Sequence, residues 1–294
     1  MLRSMYSGIA GMKGFQTQLD VVGNNIANVN TVGYKKSRTT FQDMMSQTTS
    51  GASEPTNIRG GINAIQVGLG SQLGSIDNIH TQGNRQTTNR VLDMALEGDG
   101  MFIFANGVNA PTDPTVLNHP IDLGAVNLEY SRAGNMYLDS NGYIVNANGQ
   151  YLVGDNNAAG NAGLIRIPEN AASFSIQGNG TVNYIDPNGQ TQVAGQIRLA
   201  KFSNPGGLEK IGGNMFRASV NDGMMSNDVA GLPDLIVPES DGTASIVSGA
   251  LEMSNVDLAE EFTDMITAQR GFQANTRIIT TSDEILQELV NLKR

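Results

Sequence analysis

The two ends of this chain constrain its fold more than anything between them. Near the C-terminus, Leu258, Phe262, Met265, Phe272, Ile279, Leu286 and Val290 fall on one line of 3-4 spacing, and Ile278, Ile285, Leu289 and Leu292 broaden it. A helix over 257–294 would be roughly 55 Å long at about 1.5 Å per residue. A helix of that kind is stable only with a partner along its length. The N-terminus offers one. Leu2, Met5, Ile9, Met12, Leu19 and Ile26 follow a heptad seam with Gln16 and Gly23 as defects, and Phe15, Val22 and Val29 run beside it. Residues 1–40 carry five cations against Asp20 alone, while residues 250–294 carry eight acids against four bases. Matching stripes of opposite charge predict that the two ends pack on each other, within or between subunits, the alternative being separate docking on the middle of the chain.

Gln269, Thr276 and Asp283 interrupt the C-terminal stripe, so a strict two-stranded coiled coil describes it poorly. Ser254 to Asp257 reads as a capping box for this helix, with Glu260 and Glu261 serving its dipole and solvent. Gly8, Gly11, Gly14 and Gly23 inside the first helix each cost about 1 kcal/mol relative to Ala. Keeping them implies a close backbone approach to a neighbour. The first helix is expected to end near Asn28 to Gly33, with Asn30 and Gly33 supplying left-handed backbone.

Between the ends the chain reads as β. Gly and Asn number 35 and 31 of 294 residues, and five Asn-Gly pairs, at 106, 141, 148, 179 and 188, punctuate short apolar runs such as Met101–Phe104 and Tyr151–Val153. Asn-Gly is the strongest short-range hairpin signal, which predicts an antiparallel meander or small barrel. The expected class is α+β: a coiled-coil-like rod of residues 1–30 and 250–294, an extended connector of 31–75 and 235–249, and a β-rich outer domain over 76–234.

Chemistry is hard to find. With no Cys and only His80 and His119, thiolate nucleophiles and the common metal sites are excluded. No phosphate loop or nucleophile elbow occurs, and the Asp139 and Asp186 turns lack the closing ligands of a calcium loop. Both His sit in loop-like contexts that suggest solvated or hydrogen-bonded roles. A formal charge of −10 argues against nucleic acid as partner. No apolar run is long enough to span a membrane, and no cleaved signal peptide is evident. The expectation is no enzyme, no cofactor and no metal.

The segment NNIANVNTVGYK, Asn24 to Lys35, resembles the signature of bacterial flagellar rod and hook proteins. QVGLGSQLGSIDNIHTQGN from Gln66, LDMALEGDGMFIF from Leu92 and the whole C-terminus from Ser254 resemble the same family. The resemblance implies an exported structural subunit that polymerises with itself into a tube outside the cell. A short hook protein without an extra outer domain, linking rod to filament and transmitting torque, is the leading reading, with a distal rod subunit as the alternative. Implied partners are rod, hook-cap and hook–filament junction proteins and the flagellar export apparatus. The different-class reading, a glycan-binding or glycan-cleaving β-domain, would need a carboxylate pair that no spacing nominates. The apolar seam is thus expected to serve assembly. Asn24, Asn25, Asn28, Asn30, Gly33 and Tyr34 are expected to form a structural junction that sets the angle at which the chain leaves the helix.

Overall fold

The computed structural model describes residues 2–55, 59–108, 119–121, 126–155, 162–224, 235–240 and 242–292. It combines N- and C-terminal helices with a β-rich, antiparallel middle, an α+β architecture. The chain divides into two compact units, one of residues 1–28, 36–79 and 256–294, the other of 29–35 and 80–255.

In the first unit, α1 (Leu2–Ala27) and α2 (Leu258–Leu292) run antiparallel. Asn25 meets Glu261, Phe15 meets Gly271, Gly11 meets Asn275 and Gly8 meets Ile279. A Cβ added at Gly271 would lie 2.5 Å from the Phe15 ring, and one at Gly11 2.7 Å from Asn275 Nδ2. Close approach therefore accounts for these glycines. Gly14 has a different neighbour, Phe41, whose ring also tilts against Phe15 at 6.0 Å. Phe41 belongs to β1 (Ser37–Asp43), which pairs with β4 (Ser71–Asn78) around the shorter ribbon of β2 (Ser46–Ser50) and β3 (Ile65–Gly68). Gly23 is the exception, with nothing within 4 Å of a Cβ built there.

The least exposed positions of α2 are Glu261, Met265, Ala268, Gly271, Phe272, Asn275, Ile279, Ser282 and Leu286. Gly271 apart, they form an unbroken 4-3 repeat. It shares Met265, Phe272, Ile279 and Leu286 with the stripe read from sequence. The companion row is different: Glu261, Ala268, Asn275 and Ser282 are drawn in, while Phe262, Gln269, Thr276, Asp283 and Val290 are exposed. The polar interruptions of the stripe are thus members of an outer row. Small or polar side chains fill the inner one, Asn275 facing Gly11 and Glu261 facing Asn25. The N-cap also differs from expectation, since Asp257 Oδ1, not Ser254, accepts the Ala259 N–H at 2.9 Å.

In the second unit, a continuous antiparallel path runs through Ser173–Ile176, Thr181–Ile185, Thr191–Ile197, Tyr151–Asp155, Met101–Asn106, Asn127–Ser131, Met215–Arg217 and Glu209–Gly212. All five Asn-Gly glycines have φ between 77° and 81°, and four of them turn hairpins of this unit. Met101–Asn106 is central because both its faces are buried. Phe102 and Phe104 join Met94, Leu96, Leu152 and Ile197 on one side, while Met101, Ile103 and Ala105 join Tyr130, Val153 and Phe216 on the other. Ser245–Ser248 pairs with Met94–Glu97, and Ala250–Glu252 with Arg85–Thr87, so the chain preceding α2 is tied into this unit.

Candidate functional site: junction motif and helix faces

The junction segment is fixed residue by residue. At the end of α1, Asn28 donates from Nδ2 to the Asn24 carbonyl at 2.9 Å and to Asn24 Oδ1 at 3.0 Å. Asn25 is buried and works in three directions. Its Oδ1 accepts the Ser37 N–H at 3.1 Å, and its Nδ2 donates to the Ser37 carbonyl at 2.9 Å and to the Glu261 carboxylate at 3.1–3.2 Å. An amide side chain suits this place because it matches a backbone donor and acceptor at once. Glu261 is 4% exposed, contrary to the solvated role read from sequence. Burial pushes its carboxyl pKa up, and the Asn25 hydrogen bond and Lys36 oppose that rise. Lys36 pairs with Glu260 at 2.6 Å.

In the second unit the segment from Val32 to Lys35 is held at every residue. Asn214 Nδ2 donates to the Val32 carbonyl at 2.7 Å, and the Gly33 N–H donates to the Glu252 carbonyl at 2.8 Å. The Tyr34 ring is buried under the Lys210 ammonium, 5.1 Å from its centroid. Gly33 has φ +69°, and a Cβ there would lie 2.5 Å from Ala133 N. Asn30 is exposed and does not share that conformation; among the described residues the non-glycine positions at positive φ are Asn89, Asn214 and Glu239.

The sequence reading missed the group around which this segment is wrapped. Lys35, Glu252 and Arg132 are 1%, 1% and 4% exposed. Glu252 Oε1 accepts from Lys35 Nζ at 2.6 Å and from the Gly83 N–H at 2.9 Å, while Oε2 accepts from Arg132 Nη1 at 3.2 Å. Lys35 also donates to the Thr81 carbonyl at 2.6 Å, and Arg132 to the Gly98 carbonyl at 2.6 Å. Desolvation lowers the Lys35 pKa and Glu252 opposes it. The signal available in sequence was the Lys that closes the Asn24–Lys35 motif. Nothing in the spacing linked it to Glu252, 217 positions away.

The expected seam residues divide by exposure. Met5, Met12, Leu19 and Ile26 of α1 and Met265, Phe272, Ile279 and Leu286 of α2 are half-buried, and Met12 Sδ accepts from the Thr276 hydroxyl at 3.4 Å. Ile9, Leu258, Phe262 and Val290 are exposed, Val290 by 67%. The Leu2 side chain lies outside the described residues. With Ile266, Ile278, Ile285, Leu289 and Leu292 also exposed, α2 carries two exposed apolar clusters, one near its start and one along its last turns.

Three family models match the chain: "Flagella basal body rod protein" over residues 5–35, "Flagellar hook protein FlgE/F/G D1 domain" over 121–184, and "Flagellar basal body rod FlgEFG protein C-terminal" over 247–292. The flagellar basal-body rod protein FlgG of Bacillus subtilis is 52% identical over 294 residues, covering all of both chains. FlgG of Caulobacter vibrioides is 35% identical over 99% of this chain and 100% of its own. The flagellar hook protein FlgE of Borreliella burgdorferi is 32% identical, covering both chains in full across 449 aligned positions. The junction motif and the α2 face fall inside the two terminal matches. The chain belongs to the bacterial flagellar rod and hook protein family, whose members are structural.

Proposed function

We propose that this chain is a self-assembling subunit of the flagellar axis, built into the rod, its α1–α2 pair forming a coiled-coil-like helical wall. The exposed apolar clusters of α2, at 258–266 and 278–292, carry the self-assembly reading. Contiguous exposed apolar side chains mark interaction surfaces, and a helical homopolymer covers them with copies of the same chain. Residues 1–30 and 250–294 serve as the assembly domain and 76–234 as the β-rich domain. The junction at Asn24–Tyr34 repeats one geometry from subunit to subunit. Other rod proteins, hook-cap and hook–filament junction proteins and the export apparatus are the further partners.

The rod is favoured over the hook by the end-to-end match to rod proteins of the same length, 52% in one case, where the hook relatives carry insertions. The hook, the leading reading from sequence, becomes the second reading, supported by hook relatives matched over the whole chain. Imaging of polymer grown from purified chain separates the two. Straight, short tubes are expected; curved tubes would favour the hook, and failure to polymerise at any concentration would defeat both.

A further inference from the structure

Of the five Asn-Gly pairs, four are closed turns and one is not. The N–H groups of Gly142, Gly149, Gly180 and Gly189 each donate to the carbonyl three residues back, on Asp139, Asn146, Gln177 and Asp186, at 2.8–3.0 Å. Asn106-Gly107 is built differently. Asn106 ends the central strand Met101–Asn106 and pairs with Asn127 on the last rung of the ladder. Gly107 follows at φ +81°, with nothing within 4 Å of a Cβ built there. Both residues are exposed. Among the described residues, neither the Gly107 N–H nor the Asn106 side-chain amide has a hydrogen-bond partner.

The backbone nitrogen that follows an asparagine can close a five-membered ring on its Cγ, and the reaction is fast when the two are free to meet because it is intramolecular. The nitrogen must first give up its proton, which a turn hydrogen bond holds in place. Ring closure also swings the backbone on both sides of the bond. A closed turn resists that motion, whereas a glycine with open space around it allows it, and the last rung of a ladder opens locally at small cost. Two of the turns are held further. Asn179 Oδ1 accepts the Thr181 N–H at 3.0 Å, and the Asn141 carbonyl accepts from Arg166 Nε at 2.7 Å. Asn148 and Asn188 are exposed like Asn106, and their glycines also have open space around them. They differ from Asn106 in the turn bond, which makes them internal controls.

We propose that Asn106 is a self-modification site, which deamidates through Gly107 ahead of the other four pairs. The Gly107 nitrogen, its proton passed to solvent hydroxide, attacks Asn106 Cγ. The N–Cγ bond forms and the Cγ–Nδ2 bond breaks. Nδ2 takes a proton from water and leaves as ammonia, which regenerates the hydroxide. Water then opens the cyclic imide at either carbonyl and leaves aspartate or isoaspartate. Water is consumed and ammonia released, with no change of oxidation state. The product adds a carboxylate at an exposed position of a chain already at formal charge −10. Met101 to Ala105 are buried behind it, so the change is confined to the last rung and the unit stays folded. The site therefore gathers negative charge with the age of the chain, whether that chain builds rod or hook.

The test incubates the full-length, dilute chain in mildly alkaline buffer, with a parallel incubation in guanidinium chloride. Samples taken over days are digested with an acid protease, because low pH stops deamidation of the fragments. Mass spectrometry scores conversion at all five asparagines, and enzymatic methylation scores isoaspartate. In the folded chain Asn106 should convert roughly tenfold faster than Asn148 and Asn188. In denaturant that difference should vanish. Equal rates at the three positions of the folded chain would overturn the proposal, as would an Asn106 that lags the others. Aspartate formed at Asn106 without isoaspartate would mean direct hydrolysis and would overturn the route through Gly107.

Discussion

Gly33 shows how a single residue can fix a turn. At φ +69° with Ala133 backbone 2.5 Å from its absent Cβ, it excludes every other side chain, alanine included. Gly33→Ala should destabilise the second unit by about 1–3 kcal/mol in urea unfolding, and Gly33→Val by more. The buried Lys35–Glu252–Arg132 group gives a second test at this scale. Glu252→Gln leaves two buried cations without their carboxylate and should cost about 3–5 kcal/mol, while Lys35→Met added to it should recover part of that loss. A double-mutant cycle measures the recovery, and strict additivity would mean the two groups are energetically independent. His80 adds a pH dependence with a definite sign. Its folded pKa of about 4 lies below the ordinary value of 6.5, so the unfolded chain takes up the proton first. Its contribution is intact above pH 6.5, is lost as pH falls from there to 4, and has a slope of up to about 1.4 kcal/mol per pH unit in between. His80→Gln should flatten that part of the stability profile.

At the scale of the element, the helices obey a packing rule that apolar content alone does not express. Gly11 and Gly271 let α1 and α2 approach closely, and the inward row of α2 is small or polar. Gly271→Ala, whose Cβ meets the Phe15 ring at 2.5 Å, should lower the stability of the first unit. Gly23 has open space around it, so Gly23→Ala should stabilise the dilute chain by up to about 1 kcal/mol. Thermal unfolding of the two variants side by side tests the distinction, and equal destabilisation would remove it.

For the whole molecule, the two units differ in what they enclose. The second buries apolar clusters on both faces of Met101–Asn106, while the first leaves much of α2 and the ribbon strands exposed. The dilute subunit should therefore lose its helices to limited proteolysis before its β-rich part, and assembly should protect them. Phe262→Asp, placed on the exposed apolar face, should abolish polymerisation and leave monomer circular dichroism unchanged, because a charge in a desolvated contact is costly. Normal tubes from this variant would show that the face is not an assembly contact.

Periodicity and turn chemistry are local, and for that reason they were legible without a fold. The two helices, their limits within a few residues, the five left-handed glycines of the Asn-Gly pairs and the need for close approach at Gly11 and Gly14 all follow from short-range spacing. Asn25 as a backbone-bonding residue and Gly33 as a left-handed one were readable for the same reason. Pairings between distant residues were not. The row of α2 that turns inward depends on which residues of α1 face it. The burial of Glu261 depends on Asn25, and that of Lys35 on Glu252, partners 236 and 217 positions apart along the chain. A charged side chain reads as solvated until its counter-charge is in place. Only the tertiary structure brings the two together, because neither could be buried alone.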